Sequence, residues 1–125
     1  MAVRTFAAID VGSFELELGI YEMSYKTGIQ RIDHVRHVIA LGRDTYSTGK
    51  ISYGLVEEMC QVLEEFVQIM KSYKVRDYRA YATSAMREAH NRQIILDQIR
   101  VRTGLTVRII SNCLLYTSPS PRDTR

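Results

Sequence analysis

Residues 3–11 run Val-Arg-Thr-Phe-Ala-Ala-Ile-Asp-Val, apolar enough for a buried strand, and Gly12-Ser13 punctuates them. Next, Leu16, Leu18, Ile20 and Met23 alternate with Glu15, Glu17, Gly19 and Glu22, the pattern of a half-buried strand with an acidic outer face. The two strands are expected to pair as a hairpin around Asp10 to Ser13. Tyr25 to Gly28 form a second turn signal, and residues 30–41, with Ile32, Val35, Val38, Ile39 and Leu41, are expected to make a third strand. Residues 42–52 are polar, contain Gly42 and Gly49, and predict a loop entering a helix with Ser52 as its N-cap. From Leu55, the positions Leu55, Val56, Met59, Val62, Leu63, Phe66, Val67, Met70 and Tyr73 recur at spacings of three and four, with charged residues between. Each large side chain buried on such a stripe contributes about 1.5–3 kcal/mol, enough to dock the helix firmly on a sheet. Residues 78–83 then read as a strand, Asn91 as the N-cap of a helix reaching Thr103, Gly104 as its terminator, and residues 105–110 as a last strand. The order is βββαβαβ, an α/β class with a mixed sheet whose opening hairpin is antiparallel.

After Ser111-Asn112 the pattern breaks. Residues 113–125, Cys-Leu-Leu-Tyr-Thr-Ser-Pro-Ser-Pro-Arg-Asp-Thr-Arg, have no period and resemble translated sequencing adapter, so a non-native, disordered tail is expected there. Residues 1–112 are then the N-terminal portion of one domain, expected to be incomplete because a strand such as 105–110 normally leads into a covering helix.

Composition adds exclusions. No apolar run approaches the roughly 18–20 residues of a membrane span, and residues 1–10 lack the pattern of a signal peptide, so a cytoplasmic location without a membrane partner is expected. The net charge of +3 is mild, compatible with a polyanionic substrate but not pointing to specific nucleic-acid binding. Cys60 and Cys113 are too far apart in unlike contexts for a disulfide framework, and His34, His37 and His90 lack metal-ligand spacing. Lys71, Lys74, Arg76 and Arg79, with Tyr73 and Tyr78 between them, read as a solvated helix end.

Two segments carry candidate chemistry. At the first turn, Gly12 permits positive φ and close approach to an anion, Ser13 donates to phosphate oxygens, and Asp10 can hold a hydrated Mg²⁺. The second, Thr83-Ser84-Ala85-Met86-Arg87, follows a strand and precedes a helix, where parallel α/β sheets place ligand loops. It offers two hydroxyls and, in Arg87, a permanent forked cation suited to phosphate.

The runs Ala7-Ala8-Ile9-Asp10-Val11-Gly12-Ser13, Thr48-Gly49-Lys50-Ile51-Ser52, Ala82-Thr83-Ser84-Ala85-Met86-Arg87-Glu88-Ala89-His90-Asn91 and Ile109-Ile110-Ser111 occur in order across residues 3–111. Together they resemble the exopolyphosphatase / guanosine pentaphosphate phosphohydrolase (Ppx/GppA) family. The resemblance implies part of the first domain of a duplicated actin-like ATPase (ribonuclease H-like) fold, with polyphosphate or a guanosine polyphosphate in a cleft between two domains and Mg²⁺ assisting. It implies hydrolysis of a terminal phosphoanhydride by water that a glutamate activates. Gly12, Ser13, Thr83 and Arg87 match its phosphate-binding positions and Asp10 its metal position, while Asn91 matches the motif as a cap. A homodimer of the full-length parent is compatible with the resemblance.

The chain departs from the family pattern in two places. Phe14-Glu15 stands where Asn-Ser is usual, adding a carboxylate that would repel polyphosphate if it faced the cleft. The Gly-x-Glu-Glu-Ala segment with the catalytic glutamate should begin just after Ser111, so that glutamate lies beyond residue 112 and the fragment itself is expected to be inactive. A non-catalytic polyphosphate or nucleotide sensor and an actin-like small-molecule kinase are the alternatives.

Overall fold

The computed structural model describes residues 3–110. Three strands open the chain, β1 (Arg4–Val11), β2 (Glu15–Ser24) and β3 (Gly28–Val38). There follow α1 (Leu41–Thr48), α2 (Tyr53–Ser72), β4 (Asp77–Ala82), α3 (Ser84–Glu88), α4 (Arg92–Thr103) and β5 (Arg108–Ile109). The sheet order is β3-β2-β1-β4-β5. β1 to β3 pair antiparallel, whereas β4 runs parallel to β1 and β5 parallel to β4. The mixed sheet and its opening hairpin are as the hydrophobic pattern predicts.

Strand alternation makes the two faces different in kind. Ala7, Ile9, Val11, Leu16, Leu18, Ile20, Ala80 and Ala82 point to one face and are buried. Against them α2 lays Met59, Leu63, Phe66 and Met70, and α4 adds Ile95 and Ile99. Polar ties fix the helices. Arg102 of α4 reaches Glu57 at 2.7 Å and Glu64 at 3.4 Å on α2. The Tyr73 hydroxyl, at the end of α2, donates to Asp33 of β3 at 2.7 Å. Cys60 lies in this core, where burial pushes its thiol pKa up, as suits a small apolar-packing residue. The opposite face carries Phe6, Asp10, Glu17, Tyr21 and Tyr81; Phe6 and Tyr21 stack there across the β1–β2 ladder at 5.3 Å between ring centres.

The helix ends follow their expected chemistry. The Ser52 hydroxyl accepts the Leu55 N–H at 3.4 Å, and Gly104 closes α4 at φ +80°.

Several local expectations are corrected. Residues 42–52 are not a plain loop, since α1 occupies most of them. Its apolar signal is weak: Leu41 and Thr45 are buried four positions apart amid hydroxyls and a glycine, and the helix rests on tertiary contacts instead. The Gly42 N–H, for example, donates to the Ser13 carbonyl at 2.7 Å. The short helix α3 also went unanticipated, and the last strand is only Arg108–Ile109 although Leu105 and Val107 are buried. The proposed tail, residues 113–125, lies outside the described residues.

Candidate functional site

Because β1 and β4 are parallel neighbours, their C-terminal ends open on the same edge of the sheet. The Thr83 N–H donates to the Val11 carbonyl at 3.3 Å, which knits the loop after β1 to the loop after β4. Both sequence-predicted segments are thereby brought together. The Ser13 and Ser84 hydroxyl oxygens lie 3.1 Å apart, although 71 positions separate them in sequence. Edges of this kind, at the carboxyl ends of parallel strands, are where open α/β sheets hold ligands.

Gly12 serves the turn differently from the expectation. It is not among the glycines with positive φ, and its N–H is spent on the Glu15 carbonyl at 3.0 Å. What it provides is closeness: a Cβ there would sit 3.1 Å from that same carbonyl oxygen. The turn needs glycine for its tightness, and Gly12 offers no free amide to an anion. Side-chain donors at this edge are the Ser13 hydroxyl and, from the facing loop, those of Thr83 and Ser84.

A third hydroxyl joins them from α1. Tyr46 donates to the Ser84 Oγ at 2.8 Å and lies 3.3 Å from the Ser13 Oγ. Its side-chain hydrogen bonds with Ser13 and Ser84, helped by the nearby Arg87 charge, hold the Tyr46 phenol below its ordinary pKa. Sequence reasoning misses this residue, because the polar run 42–52 with Gly42 and Gly49 predicts a loop. The signal available was Gly42 four positions before Tyr46, one turn apart on a helix face.

Arg87 emerges from α3 half-buried. Its guanidinium donates to the Ile110 carbonyl at 3.3 Å and lies 3.4 Å from the Glu88 carboxylate. Arg92 in turn donates to the Arg87 and Ala89 carbonyls, both at 3.3 Å, tying off the end of α3.

Asn91 occupies the N-cap position of α4, yet its side chain does not cap that helix. It reaches back 40 residues instead. Its Oδ1 accepts the Ile51 N–H at 3.2 Å and its Nδ2 donates to the Ile51 carbonyl at 3.1 Å. The motif asparagine is a tether between the start of α4 and the linker joining α1 to α2.

Asp10 projects from the open face into a concavity of about 300 Å³ lined also by Glu17, His34, Tyr81 and Thr83. Glu17 stands directly opposite Asp10 in the β1–β2 ladder. Desolvation and then that neighbouring charge raise the Asp10 carboxyl above its usual pKa. Among the described residues the Asp10 carboxyl has no hydrogen-bond partner, whereas the Glu17 carboxylate accepts from His34 at 3.0 Å and that of Glu15 pairs with Arg36 at 3.0 Å. Both glutamates face the Asp10 side of the sheet, and each bonds a side chain of β3, Glu15 to Arg36 and Glu17 to His34. No group of three or more His, Cys, Asp or Glu is gathered for a metal among the described residues. A Mg²⁺ that keeps its waters and completes its shell from phosphate needs only one or two carboxylates, and the unpaired Asp10 beside Glu17 fits that demand. The other histidine on the third strand, His37, bonds Glu58 at 3.0 Å.

Residues 20–113 match the sequence profile of the Ppx/GppA phosphatase family. The chain belongs to that family. Similar proteins include Exopolyphosphatase 1 of Mycobacterium tuberculosis (strain H37Rv), 26% identical over 102 residues, and that of Mycobacterium leprae, 28% identical over 103 residues. The chain spans 30% of the length of each, and the match covers 82% of the chain. Among solved structures, the Aquifex aeolicus Ppx/GppA family member superposes with a TM-score of 0.84 at 29% identity, covering 88% of this chain and 36% of that one. An exopolyphosphatase structure from Cytophaga hutchinsonii, at 22% identity and a TM-score of 0.83, matches in fold. The α/β architecture is accordingly the actin-like (ribonuclease H-like) one of the Ppx/GppA proteins. No helix among the described residues is long and apolar enough to cross a membrane.

Proposed function

We propose that this chain is the phosphate-holding, N-terminal portion of the first domain of a Ppx/GppA phosphatase whose full-length form hydrolyses the terminal phosphoanhydride of inorganic polyphosphate or guanosine pentaphosphate. The observation that carries this is the meeting of the loops after β1 and β4, with Ser13 and Ser84 hydroxyls 3.1 Å apart beside Thr83 and Arg87. Hydroxyls and a guanidinium on one edge match a phosphate group's need for several donors and a positive charge. Asp10, with Glu17 beside it, would hold Mg²⁺, which when bound neutralises charge on the phosphate oxygens.

In the proposed reaction water attacks the terminal phosphorus, the new P–O bond forms as the bond to the bridging oxygen breaks, and the shortened chain leaves. Serine hydroxyls, Thr83 and Arg87 bind and orient the phosphoryl oxygens and stabilise the charge that develops on them. In this reading the carboxylate that takes the water's proton is supplied by a part of the full-length parent outside the described residues. The neutralisation of Glu15 by Arg36 supports binding in spite of the unusual Phe14-Glu15 pair.

Phosphate release from polyphosphate by the full-length parent tests the proposal. Arg87→Ala is expected to lower turnover about 100-fold, the scale of losing one charge-stabilising donor. Tight polyphosphate binding without any release in the parent would refute hydrolysis in favour of a sensor, and ADP formation only with ATP and a sugar would favour a kinase.

A further inference from the structure

Three hydroxyls from three elements, Ser13 after β1, Tyr46 in α1 and Ser84 at the start of α3, form a closed triangle of 2.8, 3.1 and 3.3 Å edges. The triangle is built into the fold. A Cβ on Gly42 would meet Ser13 Cβ at 3.0 Å, Tyr46 Cε2 at 3.0 Å and Phe14 Cζ at 3.4 Å, so only glycine lets the three side chains converge over α1. The Gly42 N–H also fixes the Ser13 backbone through its carbonyl at 2.7 Å.

Counting protons shows what the triangle can do. Each hydroxyl has one proton to give, and the shortest edge is Tyr46 donating to Ser84. With that bond set, Ser84 can give its proton to Ser13 and Ser13 can give its own to Tyr46, so without ligand all three protons are used internally. A phosphate oxygen only accepts. It can draw the Ser13 and Ser84 protons outward from the two longer edges while the Tyr46 to Ser84 bond persists. Tyr46 then occupies a Ser84 lone pair and leaves its proton aimed at the ligand.

We propose that Tyr46 is a positioning residue of the phosphate site, acting through Ser84 to turn the two serine hydroxyls towards a phosphoryl oxygen. This rests on the phosphate-binding function proposed above. Tyr46 need not itself touch the ligand.

Titration calorimetry of the full chain with inorganic tripolyphosphate tests it. Tyr46→Phe keeps the ring, which is 57% exposed, and deletes only the hydroxyl. It is expected to weaken binding about 3- to 10-fold, the worth of one hydrogen bond. In a double-mutant cycle, Tyr46→Phe on a Ser84→Ala background should cost nothing further, because the residue through which it acts is gone. A purely structural effect would be the same in both backgrounds, and that result would overturn the proposal. Wild-type affinity in Tyr46→Phe, with Arg87→Ala weakened, would also overturn it while leaving the phosphate site standing. No binding by the unmodified chain would refute the phosphate site itself and the Tyr46 role with it.

Discussion

Replacing Asn91 by alanine removes both hydrogen bonds to Ile51, a residue only 2% exposed. Among the described residues, the Ile51 N–H and carbonyl have no other partner. Orphaning a buried backbone group costs about 1–3 kcal/mol, so losing both partners is expected to cost about 2–4 kcal/mol, allowing for water reaching the half-buried asparagine. The same linker is gripped next door, where the His90 N–H donates to the Gly49 carbonyl at 2.7 Å, so it stays partly held in the variant. In a small domain that loss lowers the melting temperature by roughly 10–20 °C. The assay is thermal unfolding of wild type, Asn91→Ala and the control Gln98→Ala, an exposed position of α4. Surface substitutions of the latter kind shift stability by no more than about 0.5 kcal/mol. If Asn91→Ala melts together with Gln98→Ala, the tether does not carry the load assigned to it, and the motif asparagine must be explained by the ligand instead.

Asp10 gives a prediction with a definite sign. Its carboxyl is raised above the ordinary 3.8, first by desolvation and then by Glu17, so the folded state holds the proton more tightly than the unfolded one. Charging Asp10 therefore opposes folding: stability falls as pH climbs from 3.8 through the folded-state value, and the loss persists at neutral pH. Asp10→Asn is expected to raise the urea midpoint at pH 7 and leave it unchanged well below 3.8; a lower midpoint at pH 7 would contradict this. At the turn, Gly12→Ala puts a methyl group 3.1 Å from the Glu15 carbonyl oxygen, a backbone atom with little room to yield. Overpacking of this kind costs about 1–3 kcal/mol, measurable as a lower urea midpoint, and an unchanged midpoint would show that the loop opens freely.

Most of the sheet was legible in the sequence because alternation and burial agree there. Leu16, Leu18 and Ile20 are buried while Glu15 and Glu17 are not, and the three-four stripe of α2 coincides with its buried face. The helix α1 was hidden because its stability comes from contacts such as Gly42 to Ser13, which no local window contains. Asn91 shows the same limit, since position suggested a cap and only the fold brings Ile51 within reach. For Gly12, composition correctly singled out a special residue and misjudged the reason, which is steric closeness and not positive φ. Which glutamates flank Asp10 required the ladder register, as Glu17 and not Glu15 stands across from it.

The central claim is that the loops after β1 and β4 form one phosphate site. Amide chemical-shift mapping of the full chain during titration with inorganic tripolyphosphate tests this most directly. The largest changes are expected at Ser13 and Phe14, at Thr83 to Arg87, and at Gly42, whose N–H is bonded to Ser13. Changes concentrated instead around Lys71, Lys74, Arg76 and Arg79, with the two loops silent, would contradict the account.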